Sequence, residues 1–307
     1  LIVGIGNPVY DYIETPLVST KERVLSGCST NACLAVGKLG QRAALVGRLG
    51  ADFAGRFAAD MRRYNIAHEI EPCAQTGGFS LVYYNERGDR TLKVLGIADP
   101  IETFPTRFAS ADYVLFGPIL QEVSLSLVKR VRQLTSAPFF LDPQGLLRRI
   151  KDGQVEHFLN PEMKEIAPCF EVLKANEHEA QVMTGLEPRQ DPAGAARALH
   201  DWGCRVAIVT LAEAGSVIYD GEQVYRIPAY ETIARDPTGA GDTYAGGFMY
   251  RYLQGGFDLW EIGCFASSVA SVMVEHTGPE FPLTLEEAER RTAMLLQISG
   301  NTRRRFL

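Results

Sequence analysis

No stretch of this 307-residue chain is apolar for the roughly 20 residues a membrane-spanning helix needs, so no membrane partner is expected. An excess of cations is also missing. Lys and Arg number 31 against 37 Asp and Glu, a net charge of −6, which argues against a nucleic-acid partner but not against a single nucleotide held by local N–H groups. The six cysteines (28, 33, 73, 169, 204 and 264) form no CxxC pair, and no HExxH or other Cys/His metal spacing occurs. Most of these cysteines lie in apolar surroundings, as reduced thiols of a cytoplasmic protein do. Leu1 opens into an apolar run without a basic segment before it, so a signal peptide is not expected. Repeats and low-complexity tracts are absent. So is a Walker phosphate loop, because Gly37-Lys38 is followed by Leu39 and lacks the upstream glycine. Any phosphate must be held elsewhere.

What is present is the balance of an ordinary globular protein, 46% hydrophobic and 22% charged, long enough for one large α/β domain or two small ones. The most informative stretch runs from Asp236 through Pro-Thr-Gly-Ala-Gly to Asp242 and on to Tyr250. Gly239, Ala240 and Gly241 carry little side chain to keep a ligand off the backbone. Ala245, Phe248, Met249 and Tyr252 then fall on one helical face, so 239–242 should lie at a helix start. Unpaired N–H groups and a positive dipole end make such a start an anion site. Asp242 in that position is either a helix cap or a base that takes a proton from a hydroxyl attacking the anion.

The string Asp-x-Thr-Gly-Ala-Gly-Asp over 236–242, then Gly246-Gly247 and an apolar helix, resembles the C-terminal signature of the ribokinase (PfkB) carbohydrate-kinase family. The run from Val46 to Gly55 resembles its N-terminal signature, with every constrained position kept. The resemblance extends from Asp11 to Gly278. It implies Asp242 as catalytic base and Gly239, Ala240 and Gly241 as the anion hole for the transferring phosphoryl group.

The same resemblance implies further roles. Asp11, which pattern alone reads as an exposed strand carboxylate, matches the sugar-hydroxyl ligand. Residues 26–31 are similar to the family's Gly-Gly-x-x-x-Asn segment, with Ser26 for the first glycine; Gly27 and Asn31 carry over as substrate ligands, and Ser29 or Thr30 caps the next helix. Asn176-x-x-Glu179 resembles the motif in which Asn176 meets nucleotide phosphates and Glu179 holds water around magnesium, since residues three apart share a helix face. The alternative there is a capping Asn176 and an exposed Glu179. Residues 210–215 resemble the nucleotide segment Thr-Leu-Gly-x-x-Gly, giving Thr210 and Gly215, with Ala212 where glycine is usual. Ser267 stands on the adenine side. Asp236 matches one ligand of a monovalent cation, potassium, although 278–282 is shorter than the usual segment.

From residue 113 strands alternate with helices: strands at 113–116, 139–141, 172–174 and 206–210, helices at 122–134, 191–202, 259–274 and 285–296. That pattern implies a doubly wound, mainly parallel α/β sheet flanked by helices, the ribokinase-like fold, over 1–307 as a single domain. The 77–95 stretch alternates on both sides of a turn at 85–89, a hairpin pattern. With about 9–16 it makes a small β-sheet lid, through which the family often dimerises. Arg90 on this hairpin could reach an anionic substrate, but the pattern favours an exposed hairpin arginine. The expectation is an ATP- and magnesium-dependent kinase of a sugar-like alcohol. The alternatives are a nucleoside kinase of the same fold, with Tyr10, Tyr12 or Phe79 stacking on a base, and a non-catalytic ligand-binding relative.

Overall fold

The computed structural model describes residues 1–85 and 89–303. The chain opens with β1 (Ile2–Ile5), β2 (Val9–Glu14), β3 (Val24–Ser26) and α1 (Cys28–Lys38). Next come β4 (Ala43–Gly50), α2 (Ala54–Tyr64), β5 (Ala67–Cys73) and the hairpin β6 (Gly78–Tyr83) and β7 (Arg90–Gly96). The turn expected at 85–89 falls partly on 86–88, outside the described residues. β8 (Tyr113–Phe116), α3 (Leu125–Leu134), β9 (Phe139–Leu141) and a second hairpin, β10 (Arg148–Lys151) and β11 (Gln154–His157), follow. After α4 (Met163–Ile166) come β12 (Val172–Asn176), α5 (Glu177–Thr184), α6 (Pro192–His200) and the strands β13 (Val206–Thr210), β14 (Ser216–Tyr219) and β15 (Val224–Ile227). Three helices close the described chain: α7 (Ala240–Gln254), α8 (Leu259–Val274) and α9 (Leu285–Arg303).

Nine strands form the main sheet in the order β15-β14-β13-β12-β9-β8-β1-β4-β5, parallel except for β14 and β15 at one edge. Alternate residues of each central strand enter different cores. Ile2, Leu45, Leu115 and Phe140 pack with α1, α7 and α8, while Val3, Val46, Phe116 and Leu141 pack with α3, α4 and α6. This two-sided burial is why the strands read as unbroken apolar runs. From β1 the sheet grows one way through β4 and β5 and the other way through β8, β9, β12 and β13. The order therefore reverses between β1 and β8, and ligands of such sheets collect where the carboxyl ends meet that crevice.

A second sheet, β3-β2-β6-β7, stands over those ends. Phe79, Leu81 and Tyr83 of β6 turn inward and are buried with Val9, Ile13 and Cys28. The glycines of the N-terminal signature serve packing: a Cβ on Gly47 would lie 2.7 Å from Gly6 O, and one on Gly50 2.4 Å from Asp52 Oδ1.

Several local expectations are corrected. α3 begins at Leu125 with Ser124 as its cap, not at Glu122. Glu122 is buried instead, and its carboxylate accepts the N–H groups of Asn7 (3.0 Å), Ile119 (2.8 Å) and Leu120 (2.7 Å). α1 is capped by Gly27 at φ 117°, with no side-chain cap from Ser29 or Thr30. Ser29 Oγ donates to Ile5 O (2.9 Å) and so ties the helix to β1. α6 ends at His200 and α9 runs on to Arg303. The short strands β3, β5, β10 and β11 carry no strong alternation and were not expected.

Candidate active site

A cavity of about 900 Å³ lies between the small sheet and the carboxyl ends of the main sheet. Asp11, Gly27, Asn176, Glu179, Thr210, Gly215, Gly239, Ala240, Gly241, Asp242 and Ser267 all line it. Residues as far apart in the sequence as Asp11 and Ser267 thus share one chamber, because the carboxyl ends of β12 and β13 and the start of α7 open on the same side as the small sheet that carries β2.

The 236–242 segment ends at α7 with Gly239 as N-cap, φ +81°. A side chain there would meet Asn31 Nδ2 at 2.9 Å and would also have to adopt the left-handed region. The Ala240 N–H donates to Pro237 O (3.2 Å) and that of Thr243 to Gly239 O (2.8 Å). Among the described residues the N–H groups of Gly241 and Asp242 have no backbone acceptor, so these two face the cavity open.

Asp242 is reached by Asn31, whose Nδ2 donates to its Oδ2 at 2.9 Å. Burial and the charge of Asp142 raise its pKa, with Lys174, Asn31 and Cys28 opposing. Asp142 and Lys174 form a buried pair, Nζ–Oδ2 2.5 Å. Burial works against the Lys174 charge, but Asp142, Glu179 and Asp242 hold it well above the ordinary lysine value. A Cβ on Gly241 would lie 2.9 Å from Lys174 Nζ, which places that ammonium beside the open amides. Cys28 joins Asp142 and Asp242 with ligating atoms within 4.8 Å of one another. Burial and these two carboxylates push its thiol far up, so it stays protonated.

Asn176 and Glu179 form a capping box on α5. The Asn176 amide accepts Glu179 N–H (2.9 Å), and the Glu179 carboxylate accepts the N–H and Nδ2 of Asn176 (2.9 and 2.8 Å). The capping alternative holds for Asn176, whereas Glu179 is buried, not exposed as that alternative had it. Burial and Asp142 raise its pKa to about 7, against Lys174, the Asn176 N–H and Arg148. Asp142 thus acts on both Asp242 and Glu179, and three carboxylates around one lysine are a setting that fits a bound cation.

In the small sheet Asp11 is buried and accepts the Phe79 N–H at 2.7 Å. Burial lifts its pKa to about 6, opposed by Phe79, Ser26 and Arg23. Arg90 is half-buried and faces the cavity, contrary to the exposed position expected of it. Its Nη1 donates to Tyr83 OH (2.7 Å), which in turn accepts from Thr238 Oγ1 (2.9 Å). His178 is exposed, as its place beside Glu179 on α5 suggests.

Thr210, Ala212 and Gly215 line the cavity with Ser267, whose Oγ donates to Pro228 O at 2.8 Å. Ala212 is held at φ +49°. A Cβ on Gly215 would meet Ile227 O at 2.1 Å. Asp236 is fully buried, and its Oδ2 and Thr277 Oγ1 have no partner among the described residues.

Sequence reading missed Lys174 and Arg148. The signal for Lys174 was a charged residue inside the apolar run Val-Leu-Lys-Ala of β12, which only a buried counter-charge explains.

Comparison with known proteins was informative. The sequence pattern of the pfkB family carbohydrate kinases matches residues 5–285. A cytidine kinase of Thermococcus kodakarensis is 28% identical over 262 residues, 83% of this chain and 89% of that protein. A nucleoside kinase of Methanothermobacter thermautotrophicus is 28% identical over 95% of this chain and 96% of its own length. Among solved structures, a pyrophosphate-dependent kinase in the ribokinase family superposes with a TM-score of 0.81 at 19% identity, covering 94% of this chain and 99% of that one.

Proposed function

The chain belongs to the pfkB family of carbohydrate kinases, and from that we propose that it transfers the γ-phosphoryl group of ATP to a hydroxyl of a sugar or sugar-like alcohol. The observation that carries this reading is Asp242, held by Asn31 at the open N-terminus of α7 inside the cavity. Burial makes its carboxylate a stronger base. It takes the acceptor's proton while the acceptor oxygen bonds to the γ-phosphorus. The bond from that phosphorus to the bridging oxygen breaks, and its electron pair leaves on ADP. The amides of Gly241 and Asp242 and the Lys174 ammonium meet the charge on the phosphoryl group. Gly239 and Ala240 shape the loop that presents them.

Asp11, Gly27 and Asn31 bind the acceptor, and Asn176, Thr210, Gly215 and Ser267 bind the nucleotide. The chamber runs past the phosphate loop to Ser267 and Val274, which leaves room for a base and supports ATP over pyrophosphate as donor. Glu179, with Asp142 and Asp242 near, would hold magnesium through water, and the ion when bound neutralises the donor phosphates. Asp236 Oδ2 and Thr277 Oγ1, both buried and unpartnered, suit a monovalent cation such as potassium. The four-stranded sheet, built from about 9–16 and 77–95, acts as the lid of a single catalytic unit, and two chains pair across its outer face.

The second reading is a nucleoside acceptor, which the similarity to cytidine and nucleoside kinases favours. A screen of pentoses, hexoses, sugar acids, inositols and nucleosides against ATP and pyrophosphate, each with magnesium, tests both. ADP formation with any alcohol supports the kinase; turnover with pyrophosphate alone would sink the donor assignment.

A further inference from the structure

Two arginines on separate hairpins enter the chamber without a carboxylate of their own. Arg148 opens β10 and is only 3% exposed. Its Nη2 donates to Gln144 Oε1 at 2.8 Å, and its buried Nε has no partner. Arg90 opens β7; its only hydrogen bond among the described residues goes to Tyr83 OH, and its guanidinium lies over the Tyr83 ring, 5.2 Å from the centroid. Lys174 differs, because Asp142 already matches its charge.

The two guanidinium groups converge. β7 packs on β11, the partner of β10, so lid and second hairpin form one wall. Burial, then the Arg90 charge, pushes the Arg148 pKa down, while Glu179, Asp142 and Asp242 pull it up. Glu179 and Asp242 act on Arg90 as well. Both arginines thus lie within electrostatic reach of Asp242 and Glu179, and Arg90 reaches Asp11 as well. Two like charges, one with an unpartnered buried nitrogen, are costly to hold together unless an anion sits between them. A planar guanidinium offers paired donors that suit phosphoryl oxygens.

We propose that Arg90 and Arg148 form a two-armed clamp on the phosphoryl group in transit between donor and acceptor. This rests on the kinase reading above. The clamp makes and breaks no bond itself; it meets the three equatorial oxygens while the acceptor oxygen–phosphorus bond forms and the bridging bond breaks. Arg90 is linked to the phosphate loop through Tyr83 and Thr238, so the clamp is complete only with the lid strand in place.

Two measurements decide it. In the first, wild type, Arg90→Gln, Arg148→Gln and Arg148→Lys are compared with an uncharged acceptor that the wild type turns over. Each glutamine variant should lose at least ~10²-fold in kcat with acceptor KM within about threefold, and the lysine variant, which keeps charge but not the fork, should fall between. In the second, inorganic phosphate is titrated into each protein by calorimetry, with no turnover required; each glutamine variant should bind at least ~10-fold more weakly. Unchanged kcat together with unchanged phosphate affinity overturns the clamp. So does a wild type that accepts only carboxylated or phosphorylated alcohols and an Arg148→Gln that raises acceptor KM alone, since the arginines would then hold an acceptor's anionic group. Failure of the wild type on every alcohol defeats the kinase reading, yet the phosphate titration still tests the clamp. Should Arg148→Gln not fold, Arg90→Gln, on a half-exposed strand, carries both measurements.

Discussion

Opposite influences meet at Asp242. The α7 N-terminus, Lys174 and Asn31 favour its charge, whereas burial and Asp142 disfavour it, and the second set wins. A carboxylate so poised should be indispensable to turnover but not to nucleotide binding. Asp242→Asn is expected to reduce kcat by at least ~10²-fold with nucleotide affinity kept within a few-fold; near-normal turnover would remove the base role. Glu179 gives a pH signature. Its folded pKa, about 7, lies above the ordinary 4.5, so between those values the native state binds more protons than the unfolded chain and stability falls as pH rises. Below that window the penalty is absent and above it constant. Magnesium needs the ionised form, so its affinity should increase from pH 6 to pH 8, and Glu179→Gln should flatten both the metal titration and the apo melting profile across that range. Equal pH dependence in wild type and variant would leave Glu179 as a helix cap alone. Asp242 and Glu179 could be picked out because each sits in a patterned string, whereas Asp11 stood out only through the family resemblance. Arg148 could not, since nothing in Leu-Leu-Arg tells that a guanidinium there is buried; that depends on which strands become neighbours.

Elements were legible in proportion to their apolar regularity. β8, β9 and β13 match their expected bounds, as does α8, because their runs are buried on both sides or carry a full helical period. β10 and β11 are short and partly exposed, and β5 is a half-buried edge strand that mixes polar residues and a proline into its run, so they leave little hydrophobic pattern. The turn around Ala212 shows what one methyl does. At φ +49° an alanine is strained, so Ala212→Gly should not show the ~0.5–1 kcal/mol loss usual for Ala→Gly, and its melting temperature should hold or rise. A lower KM for ATP in that variant would show that the methyl also narrows the nucleotide site; a melting loss of ordinary size would contradict the strain. The lid hairpin buries Phe79, Leu81 and Tyr83 toward the chamber. Amide exchange over 78–83 and 90–96 should slow when acceptor and a non-hydrolysable nucleotide bind together. Unaltered exchange would mean a fixed wall instead of a closing one.

At the scale of the molecule, the small sheet leaves large aromatic side chains uncovered. Tyr12 and Tyr84 remain 41% and 61% exposed, with Ser80 and Val82 half-buried on the same side of β6. Light scattering after size-exclusion at micromolar concentration should therefore give a dimer mass; a monomer would confine the lid to closure alone. The alternation of strands and helices announced a parallel sheet, but not that β1 would become a central strand, because strand order is decided by which crossovers pack. That position has a consequence for how the chain is made. Ile2 pairs with Ala43 on one side and Tyr113 on the other, so about 110 residues separate β1 from its later partner β8. At roughly 5–20 residues per second, a ribosome needs on the order of 5–20 s between releasing β1 and supplying β8. For that interval a strand whose Ile2, Val3 and Ile5 end fully buried stays half-covered, a natural client for a chaperone acting at the exit tunnel.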